Sequence, residues 1–256
     1  MSRIFVSLLF LLSAASSSSS AADGPVFLLG GNSMKGALFA DTLRPALRES
    51  FQGRSRVALL LDAVHPDDRA AMEARLVSAF RDLGAAAESL HRLDPAARRA
   101  RLASADGIFI VGGETFVLLA TLHREGLLEV IRSRVRSGMP YAGSSAGANV
   151  AGMVIGTTND FPVAEIPSRA ALGLVPVSVN PHHPLASATA EFRVRAGKIR
   201  TYLRFNPGET VLGIADTSMV RWLDGKLTLV AGAGWLYRKN AEKELRPGEA
   251  VEVSGR

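Results

Sequence analysis

Short aliphatic runs separated by longer stretches of helical spacing constrain this chain more than any other feature. Val26-Phe27-Leu28-Leu29 is followed by similar runs at residues 57–61 and 107–111. Runs without polar alternation suit strands buried on both faces, so the pattern predicts a parallel sheet covered by helices. Between the second and third runs, Met72, Leu76, Phe80 and Leu83 recur at helical spacing, with Pro66 in a first turn and Gly84 at the stop. Leu118, Leu119, Leu122, Leu127, Leu128 and Ile131 extend a second helical pattern, interrupted near Gly126, toward a short strand at Pro140-Tyr141-Ala142-Gly143. Farther on, residues 175–179 read as extended, 192–205 as helix and 211–214 as strand, while 219–223 and 227–230 flank Asp224-Gly225 as a hairpin. A turn at Arg246-Pro247-Gly248-Glu249 precedes one edge strand.

At 256 residues with 47% apolar content, the chain can bury one substantial core, and a single α/β domain over residues 23–256 is expected. The net charge of +6 is spread over Arg residues interleaved with apolar ones, the pattern of solvated helix faces. Aromatic residues sit mostly in apolar runs, so a nucleic-acid surface of stacking rings beside a basic groove is not expected. No Cys occurs, which excludes disulfides, thiolate metal sites and a Cys nucleophile. At the N-terminus, Arg3 precedes an apolar run at residues 4–12, then small residues through Ala22 and Asp23. This is the order of a secretory signal peptide over residues 1–22, cleaved near Ala22, and it predicts a periplasmic or secreted protein. The apolar run is too short to span a bilayer, so no stable membrane anchor is expected.

Chemistry concentrates in Gly143-Ser144-Ser145-Ala146-Gly147, a G-x-S-x-G sequence between a predicted strand and small residues able to open a helix. That context suits a nucleophile elbow, with Ser145 as nucleophile and the Ala146 N–H facing a developing oxyanion. Gly112-Gly113 follows a neighbouring strand and could supply a second oxyanion donor. Of five His, His65 lies in a loop before Pro66, and His91 and His123 sit among charged residues. His182, after Asn180-Pro181 at a strand end, is the preferred general base. Its neighbour His183 is the alternative. No acidic cluster completes a metal site, and no cofactor is expected.

These residues resemble the dipeptidase E (α-aspartyl dipeptidase) and cyanophycinase group of serine peptidases. Gly112-Gly113-Glu114-Thr115-Phe116 is similar to that group's G-G-N-T-F, and residues 143–149 to its G-W-S-A-G-A-N. Thr157-Thr158-Asn159-Asp160 matches T-T-N-D, and Asn180-Pro181-His182 matches N-P-H. The resemblance implies a three-layer α/β sandwich with a mostly parallel central sheet, of the class I glutamine amidotransferase-like type, plus the C-terminal hairpin. It implies a serine-type exopeptidase acting on short peptides such as Asp-X dipeptides, with Ser145 attacking, His182 relaying the proton, and Gly113 with Ala146 holding the oxyanion.

Two carboxylates compete to orient His182. Asp216, in Gly213-Ile214-Ala215-Asp216, falls where the group places a Glu and is preferred; Asp160 is the competitor. Arg195 aligns with an arginine that reads a substrate carboxylate, while Glu114 replaces an Asn and would repel an acidic side chain or bind a free α-amino group. A cyanophycinase-like or isoaspartyl exopeptidase is therefore the second reading, and a catalytically silent binding protein on the same fold the third. The oligomeric state is not legible.

Overall fold

The runs without polar alternation form the middle of a large sheet. In the computed structural model, which describes residues 23–253, Val26–Leu29, Val57–Leu60, Gly107–Ile110 and Tyr141–Ser144 are strands buried at every residue. In chain order the strands are β1 (Val26–Leu29), β2 (Met34–Lys35), β3 (Leu38–Phe39), β4 (Val57–Leu60), β5 (Ala87–Ser89), β6 (Gly107–Ile110) and β7 (Tyr141–Ser144). After these come β8 (Ser178–Asn180), β9 (Val211–Ile214), β10 (Met219–Leu223), β11 (Lys226–Ala231), β12 (Gly234–Arg238), β13 (Ala241–Leu245) and β14 (Ala250–Glu252). The helices are α1 (Arg44–Phe51), α2 (Arg69–Asp82), α3 (Pro95–Ser104), α4 (Thr115–Arg124), α5 (Leu127–Arg136), α6 (Ala146–Ala151) and α7 (Thr189–Phe205).

The large sheet has the order β14-β11-β10-β1-β7-β6-β4-β5. Its β1, β7, β6, β4 and β5 pair in parallel, whereas β10, β11 and β14 continue it from β1 in antiparallel pairings. Parallel pairing holds on one side of β1 only, so the sheet is mixed. The β10–β11 hairpin turns at Asp224-Gly225, as the sequence indicates, and β14 is its edge strand.

Alternate residues of each central strand feed opposite cores, because successive side chains of a strand point to opposite faces. Val26, Leu28, Ala58, Leu60, Ile108 and Ile110 join Leu118, Leu122, Leu127 and Ile131 of α4 and α5 on one face. Phe27, Leu29, Leu59 and Phe109 join Leu47, Phe51, Leu76 and Phe80 of α1 and α2 on the other. Within this second core Phe39, Phe51, Phe80 and Phe109 meet edge to face, with ring centroids 5.3–5.6 Å apart. Each such pair contributes about 1 kcal/mol beyond its burial. Two cores, one on each face of the sheet, make the three-layer sandwich.

A second sheet, β13-β12-β9-β8, was not anticipated. Its β8 and β9 are parallel, and β12 pairs antiparallel with β9 and β13. Helix α7 covers it through Ala196, Ile199 and Leu203, packed with Val211, Trp235 and Tyr237. The extended run expected at 175–179 is displaced to Ser178–Asn180, since Pro176 has no N–H to give to a ladder. The stretch assigned to a signal peptide, residues 1–22, lies outside the described residues. No helix among the described residues is long and apolar enough to cross a membrane.

Candidate active site

Three neighbouring strands of the large sheet, β1, β7 and β6, end in loops at the same edge, where ligands bind in α/β sheets. Ser145 leaves β7 with φ 53° and ψ −111°, far from the regions a non-glycine residue prefers. The turn is over-determined: Ser145 N–H donates to Leu29 O at 2.9 Å, and its carbonyl accepts from Asn149 N–H at 2.9 Å as α6 begins. Gly147 is obligatory to it, because a Cβ there would lie 2.0 Å from the Ile110 carbonyl oxygen of β6. The G-x-S-x-G spacing thus reflects how closely α6 starts against a neighbouring strand.

The Ser145 hydroxyl lies 2.8 Å from His182 Nε2, and His182 Nδ1 lies 2.6 Å from Asp216 Oδ1. A carboxylate can only accept, so Nδ1 carries the proton and Nε2 is left to accept from the serine. Of the two carboxylates the sequence left open, Asp216 stands on His182. Asp160 instead accepts from Thr115 N–H at 2.8 Å and from the Thr115 hydroxyl at 2.5 Å, closing the N-terminus of α4.

The second oxygen of Asp216 accepts from Asn32 Nδ2 at 2.7 Å. Sequence reasoning missed Asn32, and it missed Gly31, which forms the floor of the site. Gly31 has φ 144°, and a Cβ on it would stand 2.1 Å from His182 Cε1 and 2.6 Å from Asp216 Oδ1. The signal was present: Gly30-Gly31 follows β1 as Gly112-Gly113 follows β6. Near Ser145, the buried hydroxyls of Ser33 and Ser144 are bonded at 3.0 Å.

Gly112 packs against Ser145; a Cβ on it would lie 2.9 Å from Ser145 Cβ. The N–H groups of Gly113, in the loop after β6, and of Ala146, the first residue of α6, donate to no other described residue. Glu114 N–H donates to Ala63 O at 2.8 Å, and the Glu114 side chain is exposed at the start of α4. Arg195 reaches from α7 to the loop carrying His182, its Nη1 donating to Asn180 Oδ1 at 3.0 Å. Burial lowers the pKa of this guanidinium.

His183, the alternative base, is 2% exposed. Its Nδ1–H donates to Pro184 O at 2.9 Å, which leaves Nε2 to accept from the Tyr237 hydroxyl at 2.9 Å. Burial pushes it down to about 4. With both nitrogens committed it cannot serve Ser145. The remaining histidines bond elsewhere: His65 with Asp67 N–H, His91 with Ser89 Oγ and His123 with Ala170 O. His91 is half-buried in the turn after β5. Among the described residues no group of His, Asp and Glu is arranged to hold a metal ion.

The model of peptidase family S51 matches residues 26–230, most of the chain and every residue of this site. The chain belongs to peptidase family S51. It is a peptidase, and its substrates are peptides. Peptidase E of Streptomyces coelicolor is 38% identical over 192 residues, 71% of this chain and 77% of that one. A protein named as an alpha-aspartyl dipeptidase in Drosophila melanogaster is 34% identical over 210 residues, covering 81% of the S51 chain and 86% of its own. Peptidase E of Shewanella amazonensis reaches 44% identity over 133 residues, 52% of this chain and 57% of the relative. Among solved structures, a peptidase from an acI-B1 Actinobacterium superposes with a TM-score of 0.69 at 19% identity, over 91% of this chain and 98% of that one. That likeness bears on the fold alone.

Proposed function

We propose that this S51 peptidase is a serine-type exopeptidase that removes an N-terminal Asp from short peptides through an acyl-Ser145 intermediate. The observation that carries the reading is the continuous line of hydrogen bonds from Ser145 Oγ through His182 to Asp216. His182 Nε2 takes the hydroxyl proton as Oγ bonds to the scissile carbonyl carbon. The oxyanion is met by the N–H groups of Gly113 and Ala146. His182 then returns the proton to the departing amine, and water, deprotonated by the same nitrogen, releases the acyl group and restores the serine. Asp216 stabilises the imidazolium, and Asn32 keeps the carboxylate turned toward it.

Selection of an acidic first residue is supported by Arg195, a partly desolvated guanidinium whose only bonds among the described residues are made by Nη1, to Asn180 and Pro181. A planar fork suits a carboxylate. Glu114, exposed beside Gly113, suits the free α-ammonium that an unblocked N-terminus brings next to the scissile carbonyl. The same carboxylate, set against an acidic side chain, favours a second reading in which the β-linked isoaspartyl peptide is preferred.

Hydrolysis of Asp-Leu, isoAsp-Leu, β-Asp-Arg, Glu-Leu and Ala-Leu, with Ser145→Ala alongside, tests this. The expected result is Ser145-dependent cleavage of Asp-Leu above the rest. Preference for the β-linked pair would replace the first specificity with the second, and cleavage that survives in Ser145→Ala would remove the serine mechanism.

The order of charged, apolar and small residues before Asp23 supports export. Protein recovered from outside the cytoplasm of its host is expected to begin near Asp23; recovery with Met1 intact would refute this.

A further inference from the structure

His182 has φ 52°, a conformation disfavoured for any residue with a Cβ, and it is the residue that must meet Ser145 and Asp216 at once. What holds it there is the segment just before it. Val179 O accepts from Asn149 Nδ2 at 2.6 Å and from Thr157 Oγ1 at 2.8 Å. Asn180 Nδ2 donates to Thr157 O at 2.7 Å and to Asn159 Oδ1 at 2.9 Å, and Asn159 Nδ2 donates to Pro181 O at 2.7 Å. The remaining acceptor of the Asn180 amide, Oδ1, is bonded by Arg195 Nη1 at 3.0 Å, which also approaches Pro181 O at 3.5 Å. The N–H of His182 itself donates to Gly30 O at 2.9 Å.

Arg195 is the one charged member of this network, and it comes from a different element, α7, whose neighbouring Phe192 packs edge-on against His183 at 5.2 Å. We propose that Arg195 is a positioning residue for the general base, holding the Asn180-Pro181-His182 segment from α7, and not only a reader of the substrate's carboxylate. This rests on Ser145, His182 and Asp216 being the catalytic groups. Nη1 is spent on the loop, and Nε and Nη2 bond no other described residue, so one planar group can face the loop with one edge and an acidic substrate with another. Turnover of a substrate that carries no carboxylate then also depends on Arg195.

The test compares Arg195→Met and Arg195→Lys with the unaltered enzyme on two substrates, aspartyl p-nitroanilide and the neutral ester p-nitrophenyl acetate. Folding of each variant is checked by thermal melting, and Ser145→Ala gives the background. A positioning role predicts that kcat falls about tenfold or more on both substrates in Arg195→Met, because a base displaced by a fraction of an ångström loses its line to Oγ. Arg195→Lys keeps the charge but not the fork and is expected to recover only part of the rate on the ester. Guanidinium ion added at millimolar concentration to Arg195→Ala is expected to raise the ester rate. An ester rate within about twofold of the unaltered enzyme in Arg195→Met, with only the KM for the aspartyl substrate raised, would reduce Arg195 to a reader and overturn the proposal. Absence of any Ser145-dependent turnover by the unaltered enzyme is a different result: it would remove the catalytic reading on which the proposal stands.

Discussion

His182 and His183 are adjacent in sequence and opposite in surroundings, and this contrast has a measurable consequence in acid. The His183 ring lies against Trp235 at 4.6 Å, and its Nε2 accepts from Tyr237, so a proton on that nitrogen would cost the bond and charge a buried ring. Between its ordinary value of 6.5 and the folded value of about 4, the unfolded chain binds a proton that the folded chain does not. The sign follows directly: stability is fully present above about 6.5 and falls as the pH drops toward 4, by on the order of 3 kcal/mol at about 1.4 kcal/mol per unit. His183→Phe keeps a ring of similar size and removes the titration. The decline in melting temperature from pH 6.5 to 4 is therefore expected to be shallower in the variant than in the natural protein; equal declines would show that other groups set the acid limit. The sequence preferred His182 and kept His183 as the alternative because neither composition nor spacing reports burial, and the conformation of His182 is tied by its N–H to Gly30 O, just past β1. Asn32 and Gly31 went unread for the same reason, since they matter only through Asp216 and His182, which are 184 and 151 residues away from them respectively.

At the scale of elements, two loops contribute a carboxylate each and do different work. The turn after β9 brings Asp216 to His182, while the loop before Asp160 delivers its carboxylate to the first turn of α4. Asp216→Ala is expected to lower kcat by about a thousandfold or more, in line with the loss of an orienting carboxylate in serine enzymes generally. Asp160→Ala is expected to lower stability by about 1–2 kcal/mol, as removal of a helix cap does, with the smaller effect on kcat. Paired kinetic and melting measurements check both, and the opposite ranking of kcat would exchange the two assignments. The elements themselves were legible where burial or turn chemistry leaves a mark in the sequence: the unbroken apolar runs of the four inner strands, the helical spacing of α2, the break at Gly126 and the Asp224-Gly225 turn of the β10–β11 hairpin. Strand β13 left no such mark. Its residues, Ala241 to Leu245, are exposed except for the last, and Ala, Glu, Lys and Leu are helix formers that become a strand only by pairing with β12. Without β13 and β12 the second sheet could not be foreseen.

For the molecule as a whole, the parallel half of the large sheet followed from its apolar runs, whereas its antiparallel extension and the second sheet follow from long-range pairing that no local pattern records. The residues of the site divide along that boundary. Ser145 follows β7 and Gly31 and Asn32 follow β1 of the large sheet, His182 follows β8 of the small one, and Asp216 sits in the crossing from β9 to β10 that joins them. The seam is stitched by His182 N–H to Gly30 O and Thr217 N–H to Gly31 O, each at 2.9 Å. The two sheets share one core, in which Val179, Leu212 and Ile214 pack in the same cluster as Leu28, Leu60 and Ile110. On the roles proposed for them, the nucleophile follows one sheet and its base the other, so a change that shifts one sheet on the other would disarm the enzyme without touching either residue.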